Sequence, residues 1–328
     1  NFTLLFFAFV SLAFSQAGAP ATPYYNGFNW TLTGMNLKNA LATKITTTHT
    51  TTLTYSQVWE ALKIVDLDPA NSSNVLLVYG WENGSDGDVT NDRSRNKNSN
   101  GGAVGDWNRE HVFAQSLGNP DLGSSGPGAD AQMLRSSDVQ RNGTRGNRLF
   151  ASGSGINSFT VGTNGWYPGN EWKGDVARIV MYMYLRYGSQ CLPTYVTIGS
   201  TNATDSNMVD LLLQWNSEDP VSQYEDNRNT YLGNASNTYG QGNRNPFIDN
   251  PYLATVIWGG PVAENRWPAI FLSAEDFVSV ENATVYPNPA INNEVYVSTA
   301  TELKSIVLYN INGQIIQEIK NPSKVNDA

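Results

Sequence analysis

An acid and a histidine stand side by side in the segment DWNREHVFAQS, which covers residues 106–116. A neutral imidazole can take a proton from water near pH 7, and a carboxylate can hold a hard divalent cation. Hydrolysis of a phosphodiester needs both functions, because a base must make hydroxide and a metal must neutralise the developing charge. Glu110 and His111 are therefore candidates for a hydrolytic site.

The surrounding pattern looks like an ordinary half-buried strand between Trp107 and Phe113. Neighbours on a regular strand point to opposite faces, so Glu110 and His111 can share one site only if the strand ends or bends there. On spacing alone, the alternative is that the pair is a polar step between two core aromatics.

A second polar segment, DAQMLRSSDVQRNGTRGNRLF at residues 130–150, is rich in arginine and asparagine. Asn142 and Arg145 lie one helical turn apart. An amide oxygen is a good ligand for a hard metal, and arginine can hold phosphate through two hydrogen bonds. The alternative is a solvated turn held by asparagine and glycine.

The charge is distributed unevenly along the chain. The net charge is −9, but residues 91–148 contain eight basic and six acidic side chains, a balance of +2 that leaves −11 for the rest. An acidic total does not exclude a polyanionic substrate, because the local distribution matters more than the sum. The eight basic residues are Arg93, Arg95, Lys97, Arg109, Arg135, Arg141, Arg145 and Arg148.

The composition indicates a folded chain without disulfides. Hydrophobic residues make up 40% and charged residues 15%, which is too apolar for a disordered protein. A single cysteine, Cys191, allows no intramolecular disulfide and no cysteine-based zinc site.

The hydrophobic patterns predict a mostly helical core with a few strands. Threonines favour an extended conformation at 46–56, and the polar stretch 83–105 is typical of a functional or mobile loop. The predicted helices are 56–66, with Ser56 as N-cap, 175–188, 207–215 and one within 217–233, and the predicted strand is 74–81.

Both ends of the chain differ from the middle. The apolar start predicts a secretory signal peptide at residues 1–17, with an apolar helix of the mature domain as the alternative. Within the C-terminal segment 273–328, residues 285–321 alternate apolar and polar side chains and carry an Asn-Gly turn at 312–313, which predicts antiparallel strands. Since too few strands follow to finish a sandwich, we expect a very small or incomplete module.

Four segments, in the same order, resemble the extracellular and periplasmic endonuclease I family. They are NREHVFAQS, DAQMLRSSDVQRNGTRGN, EWKGDVARIVMYMYLRYG (171–188), and the stretches WNSEDPVSQYEDNRN and QGNRNPFIDNP within 215–251. The resemblance covers about residues 35–260 and implies a ββα-metal (His-Me finger) catalytic unit. We therefore predict an α+β protein with a mostly helical nuclease domain at 18–272 and a small C-terminal β-sandwich-like module.

The resemblance also implies roles for single residues. His111 would be the general base, and Glu110 and Asn142 would hold one Mg²⁺, with Mn²⁺ or Ca²⁺ as open alternatives. Arg135 and Arg145 would hold phosphate or brace the site, and Arg109 is a third arginine for phosphate or DNA contact. The implied reaction is sequence-independent hydrolysis of DNA, and often of RNA, that leaves a 5′-phosphate.

The chain departs from the family pattern at Gln132 and Met133, where the family carries polar or imidazole side chains. A secondary contact with metal or substrate can therefore be missing. This departure and the acidic net charge keep open a catalytically impaired extracellular protein that binds nucleic acid or adheres to surfaces. A secreted phosphodiesterase for small or lipid substrates is a second alternative.

The C-terminal segment resembles the sorting domain of proteins exported by the type IX secretion system. The resemblance implies contact with the outer-membrane secretion machinery and a mature protein without a transmembrane segment, free outside the cell or attached to its surface. The alternative is a small adhesive β domain. We expect a monomer.

Overall fold

The computed structural model describes residues 18–271, 284–292, 294–298, 305–309 and 315–320. The predicted signal peptide at 1–17 lies outside these residues. The chain divides into two compact units, Asn1–Phe271 and Leu272–Ala328. Among the helices that the structure describes, none has the length and apolar character needed to cross a membrane.

The first unit mixes helices with short strands, so the α+β prediction is confirmed at this level. Its helices are α1 (Gly34–Thr48), α2 (Tyr55–Val65), α3 (Val139–Arg145), α4 (Lys173–Tyr187), α5 (Pro193–Val196), α6 (Asp210–Glu218), α7 (Gln223–Leu232), α8 (Pro246–Asp249) and α9 (Tyr252–Trp258). Its strands are β1 (Leu67–Asp68), β2 (Asn71–Leu76), β3 (Ser94–Asn96), β4 (Trp107–His111), β5 (Leu134–Asp138), β6 (Leu149–Phe150), β7 (Phe159–Val161) and β8 (Gly165–Tyr167).

Helix α4 forms the centre of the core. All residues from Gly174 to Leu185 are buried, and α1 and α6 pack against the helix. A helix that is buried on all sides lies in the interior, and the predicted helix at 175–188 is confirmed. Gly188 caps its C-terminus, with a φ of 56° that suits a residue without a Cβ.

Two predictions for the N-terminal segment were wrong in detail. Residues 46–48 are not extended, because α1 continues to Thr48 and the hydroxyls of Thr47 and Thr48 donate to the carbonyls of Thr43 and Lys44 at 2.9 and 2.8 Å. Burial of Leu37, Leu41 and Ile45 on the same helix outweighs the weak helix propensity of threonine. Helix α2 is capped not by Ser56 but by Thr54, in a capping box with Gln57.

The predicted strand at 74–81 is shorter at its C-terminal end than the pattern suggested. Strand β2 ends at Leu76, and the chain then turns, with the Gly80 N–H donating to the Leu77 carbonyl at 3.0 Å. The polar stretch at 83–105 is not all loop, since it contains β3, which pairs with β2 in the antiparallel sheet β1-β2-β3. Tyr79, within the turn, has a φ of 76°.

Strands β4 and β5 and helix α3 form the part of the fold that carries the candidate residues. The two strands are antiparallel, with Glu110 opposite Arg135 and His111 opposite Leu134. The chain passes from β5 directly into α3, where the Asp138 carboxylate accepts the Arg141 N–H at 2.8 Å as an N-cap. Helix α3 therefore packs on both strands and brings its first turns close to the end of β4.

The described part of the second unit consists of antiparallel strand pairs. Strand β9 (Thr284–Ile291) pairs with β10 (Glu294–Ser298), and β11 (Ser305–Tyr309) pairs with β12 (Ile315–Lys320). The predicted Asn-Gly turn at 312–313 lies outside the described residues.

Candidate active site

The end of β4 opens onto a cavity of about 220 Å³. Glu110 and His111, the last two residues of β4, both line this cavity, although neighbours on a strand face apart. Helix α3 contributes Asn142 and Arg145 from the other side. The lining residues are Arg109, Glu110, His111, Ala114, Gln115, Ser116, Asn142, Arg145, Gly146 and Asn147.

His111 is held as a neutral base. Its Nε2 lies 3.0 Å from the Gly128 carbonyl oxygen, which can only accept, so Nε2 carries the proton and Nδ1 is left as the acceptor. Burial lowers the pKa of His111 to about 4, and the positive charges of Arg109 and Arg145 act in the same direction. The ring stacks on Tyr55 with 5.6 Å between centroids. The imidazole is therefore neutral at pH 7, with Nδ1 unprotonated.

Glu110 is a buried carboxylate, 2% exposed. The Tyr79 hydroxyl donates to Oε1 at 2.9 Å, and Arg145 Nη1 lies 3.2 Å from the same atom. Burial raises the pKa of Glu110 to about 7, against the opposing effects of Arg145, Tyr79 and the His111 backbone N–H. A cation beside Glu110 would favour its charged form.

Asn142 presents an amide oxygen. Its Nδ2 donates to Asn108 Oδ1 at 2.8 Å, so Oδ1 is the atom that remains for another partner. In the described part of the chain, no group of three or more histidine, cysteine or acidic side chains could hold a metal ion. One carboxylate and one amide suit Mg²⁺, which usually keeps several waters and takes further oxygens from a substrate phosphate.

Arg145 braces the end of β4. It is 1% exposed, and its Nη1 and Nη2 donate to the carbonyls of His111 and Val112 at 3.0 and 2.8 Å. Since both ends of the guanidinium are bound to backbone at the strand end, this geometry favours the bracing role over contact with phosphate.

The other two predicted arginines differ in their surroundings. Arg135 is fully buried, does not line the cavity, and lies with its Nη2 3.5 Å from Asp175 Oδ1, a position that also favours bracing. Arg109 lines the cavity with its guanidinium carbon 3.4 and 4.3 Å from the ring centroids of Tyr55 and Trp59. Arg109 is therefore the cavity arginine that is not buried.

Gln132 and Met133 are both buried and neither lines the cavity. Gln132 Nε2 donates to the Asn243 carbonyl at 3.0 Å, which ties the turn before β5 to the loop before α8. The departure from the family pattern therefore lies in the interior in this chain.

Sequence reasoning missed three groups that hold the candidate residues in place: Tyr79 on Glu110, Asn108 on Asn142, and the Gly128 carbonyl on His111. Tyr79 lies 31 residues before its partner, and a glycine carbonyl carries no signal in residue type. Asn108, two residues before Glu110, is the one that local strand periodicity could have suggested.

Comparison with known proteins places this chain in a family. The family model for endonuclease I matches residues 33–252. The extracellular ribonuclease of Bacillus amyloliquefaciens is 44% identical over 233 residues, which cover 69% of this chain and 74% of that protein. The extracellular ribonuclease of Bacillus subtilis (strain 168) is 42% identical over 257 residues, which cover 73% and 82%.

Proposed function

This chain belongs to the endonuclease I family and is a nuclease that hydrolyses phosphodiester bonds; from that premise we propose that it is a secreted, metal-dependent endonuclease that cuts DNA and RNA regardless of sequence. One observation carries the proposal. Glu110, His111 and Asn142 meet at one cavity, with the imidazole neutral and oriented by the Gly128 carbonyl.

In the proposed reaction, His111 Nδ1 takes a proton from water as the water oxygen attacks phosphorus. The new P–O bond forms while the bond to the 3′-oxygen breaks, which yields a 5′-phosphate and a 3′-hydroxyl that is protonated from solvent. Glu110 and Asn142 would hold one Mg²⁺, and a cation bound there supplies positive charge against the phosphate and the leaving oxygen. Endonuclease I proteins are generally metal-dependent.

The proposed RNA substrate and the proposed location rest on the relatives and not on the geometry of the site. Two relatives are named extracellular ribonucleases, which supports RNA as a substrate and secretion as the destination. We further propose that 1–17 is the signal peptide and that 18–272 is a monomeric catalytic domain with its β4-β5-α3 unit as the ββα-metal motif. Residues 273–328 would be a type IX sorting domain of a protein that is free outside the cell or attached to its surface.

The decisive experiment follows supercoiled plasmid and single-stranded RNA with Mg²⁺ or with EDTA, using wild type and Glu110→Gln. We expect wild type to nick the plasmid and cleave the RNA only with metal, and to leave ends that a ligase joins directly. Glu110→Gln should lose activity, whereas Glu60→Gln, on the exposed surface of α2, should retain it. Intact substrates with Mg²⁺, Mn²⁺ and Ca²⁺ alike would refute the proposal and favour a binding protein.

A further inference from the structure

Tyr79 contacts the candidate metal ligand Glu110 and has an unusual backbone conformation. It is a non-glycine residue with a φ of 76°, a region that bulky side chains rarely occupy. Such conformations persist only where the surroundings enforce them, and they cluster at functional sites.

The turn around Tyr79 is fixed from several directions. The Ser158 hydroxyl donates to the Tyr79 carbonyl at 2.8 Å, and Trp172 Nε1 donates to the Gly80 carbonyl at 2.7 Å. Gly80 also lies against the backbone of Asp92 so closely that a Cβ would stand 2.1 Å from its carbonyl oxygen. The strained residue is therefore imposed by three separate segments of the fold.

The side chain of Tyr79 is fixed as firmly as its backbone. The ring is fully buried and meets Trp166 edge-on, with 5.4 Å between centroids. Its hydroxyl donates to Glu110 Oε1 at 2.9 Å. Arg145 Nη1 also reaches this oxygen, but it donates as well to the His111 carbonyl, so Tyr79 is the partner that commits its hydroxyl to the carboxylate.

We propose that Tyr79 is a positioning residue that fixes Glu110 Oε1 and thereby leaves Oε2 to bind the metal ion; this inference rests on the proposed metal-dependent function. A carboxylate held by one oxygen cannot rotate freely. Its second oxygen is therefore already oriented, and less side-chain conformational entropy is lost when the metal binds. Hydrogen-bond partners that orient a metal ligand typically change metal affinity by about 10- to 100-fold when they are removed.

The test is titration calorimetry of Mg²⁺ binding to Tyr79→Phe without nucleic acid. The substitution keeps the ring and its packing on Trp166 but removes the hydroxyl. We expect Mg²⁺ to bind about 10- to 100-fold more weakly. The Mg²⁺ concentration for half-maximal cleavage should rise by a similar factor, while the rate at saturating Mg²⁺ stays within a few-fold of wild type.

The matched control is Tyr224→Phe. Tyr224 is another buried tyrosine whose hydroxyl donates to a buried carboxylate, Asp66 Oδ1, at 2.8 Å. Its loss should change thermal stability about as much as Tyr79→Phe does, with Mg²⁺ affinity unchanged. A purely structural role for Tyr79 would give the two variants the same profile.

The outcomes separate the inference from the proposed function. If wild type binds Mg²⁺ and Tyr79→Phe binds it equally well, the positioning role is wrong and the metal-dependent function stands. If wild type binds neither Mg²⁺ nor Mn²⁺ nor Ca²⁺, the metal-dependent function is wrong, and the inference is wrong with it. Unfolding of Tyr79→Phe alone, with Tyr224→Phe folded, would assign Tyr79 to stability and also contradict the inference.

Discussion

Two buried groups in this protein combine a carboxylate, a tyrosine and an arginine in nearly the same way. In one, the Tyr79 hydroxyl and Arg145 Nη1 meet on Glu110 Oε1. In the other, the Tyr224 hydroxyl and Arg228 Nη1 meet on Asp66 Oδ1. All six side chains are at most 3% exposed. Residue type and burial therefore do not distinguish the two groups.

The difference lies on the second carboxylate oxygen. Asp66 Oδ2 accepts the Ser136 N–H at 2.6 Å, and Arg228 Nη2 donates to the Ala131 carbonyl at 2.6 Å, so this group joins α2, α7 and β5. Glu110 instead lines a cavity beside His111 and Asn142. A buried ion pair is thus weak evidence for a functional site, and the cavity beside the carboxylate is the informative feature.

The largest expected effect is on the rate, through His111. His111→Ala should lower the cleavage rate by about 10²- to 10⁴-fold, because a positioned general base contributes that much. His49→Ala is the matched variant: His49 is the other histidine, and its Nδ1 accepts from Arg186 away from the cavity lining. Plasmid nicking and RNA cleavage at saturating Mg²⁺ measure both. Equal rates for the two variants would remove His111 from the mechanism.

The candidate residues could be predicted because their chemistry shows in their types and their order resembles a family. The shared cavity of Glu110 and His111 could not be predicted from spacing, because α3 supplies part of its lining. Arg145 of this helix donates to the carbonyls of His111 and Val112, more than 30 residues earlier in the chain. Contacts between residues so far apart in sequence are set by the tertiary fold and leave no local periodic pattern.

Elements with strong local patterns were predicted well, and those that tertiary contacts override were not. Helix α4 follows from its continuous apolar run. The helical conformation of Thr46–Thr48 and the turn at Tyr79 oppose local preference, since threonine favours strands and tyrosine avoids positive φ. Burial of other residues on α1 decides the backbone at Thr46–Thr48, and contacts from other segments decide it at Tyr79.

The next largest effect separates the two carboxylates by stability. Asp66→Asn leaves the buried Arg228 without its counter-charge and should lower the free energy of unfolding by about 3–5 kcal/mol. Glu110→Gln should cost less, because Asp66 also accepts the Ser136 N–H through its second oxygen, whereas Glu110 lines the cavity.

Chemical denaturation at pH 7 without divalent metal measures the free energy of unfolding of both variants. Their cleavage rates should follow the opposite order. Asp66→Asn should keep its rate, and Glu110→Gln should lose it. Equal losses of stability would mean that Glu110 is as fully partnered as Asp66, which contradicts the comparison.

The smallest expected effect separates the two arginines of the cavity by salt dependence. Arg109→Ala should reduce the slope of log(kcat/KM) against log salt concentration by about 1, because each lysine or arginine that neutralises a phosphate adds roughly that much. Arg145→Lys should leave the slope unchanged, since Arg145 is 1% exposed and bound to the carbonyls of His111 and Val112. It should instead lower thermal stability, because lysine cannot donate to both carbonyls in the geometry of the guanidinium fork. A reduced slope in Arg145→Lys, with stability intact, would mean that Arg145 contacts phosphate in the complex. Its hydrogen bonds to the two carbonyls would then belong only to the substrate-free protein.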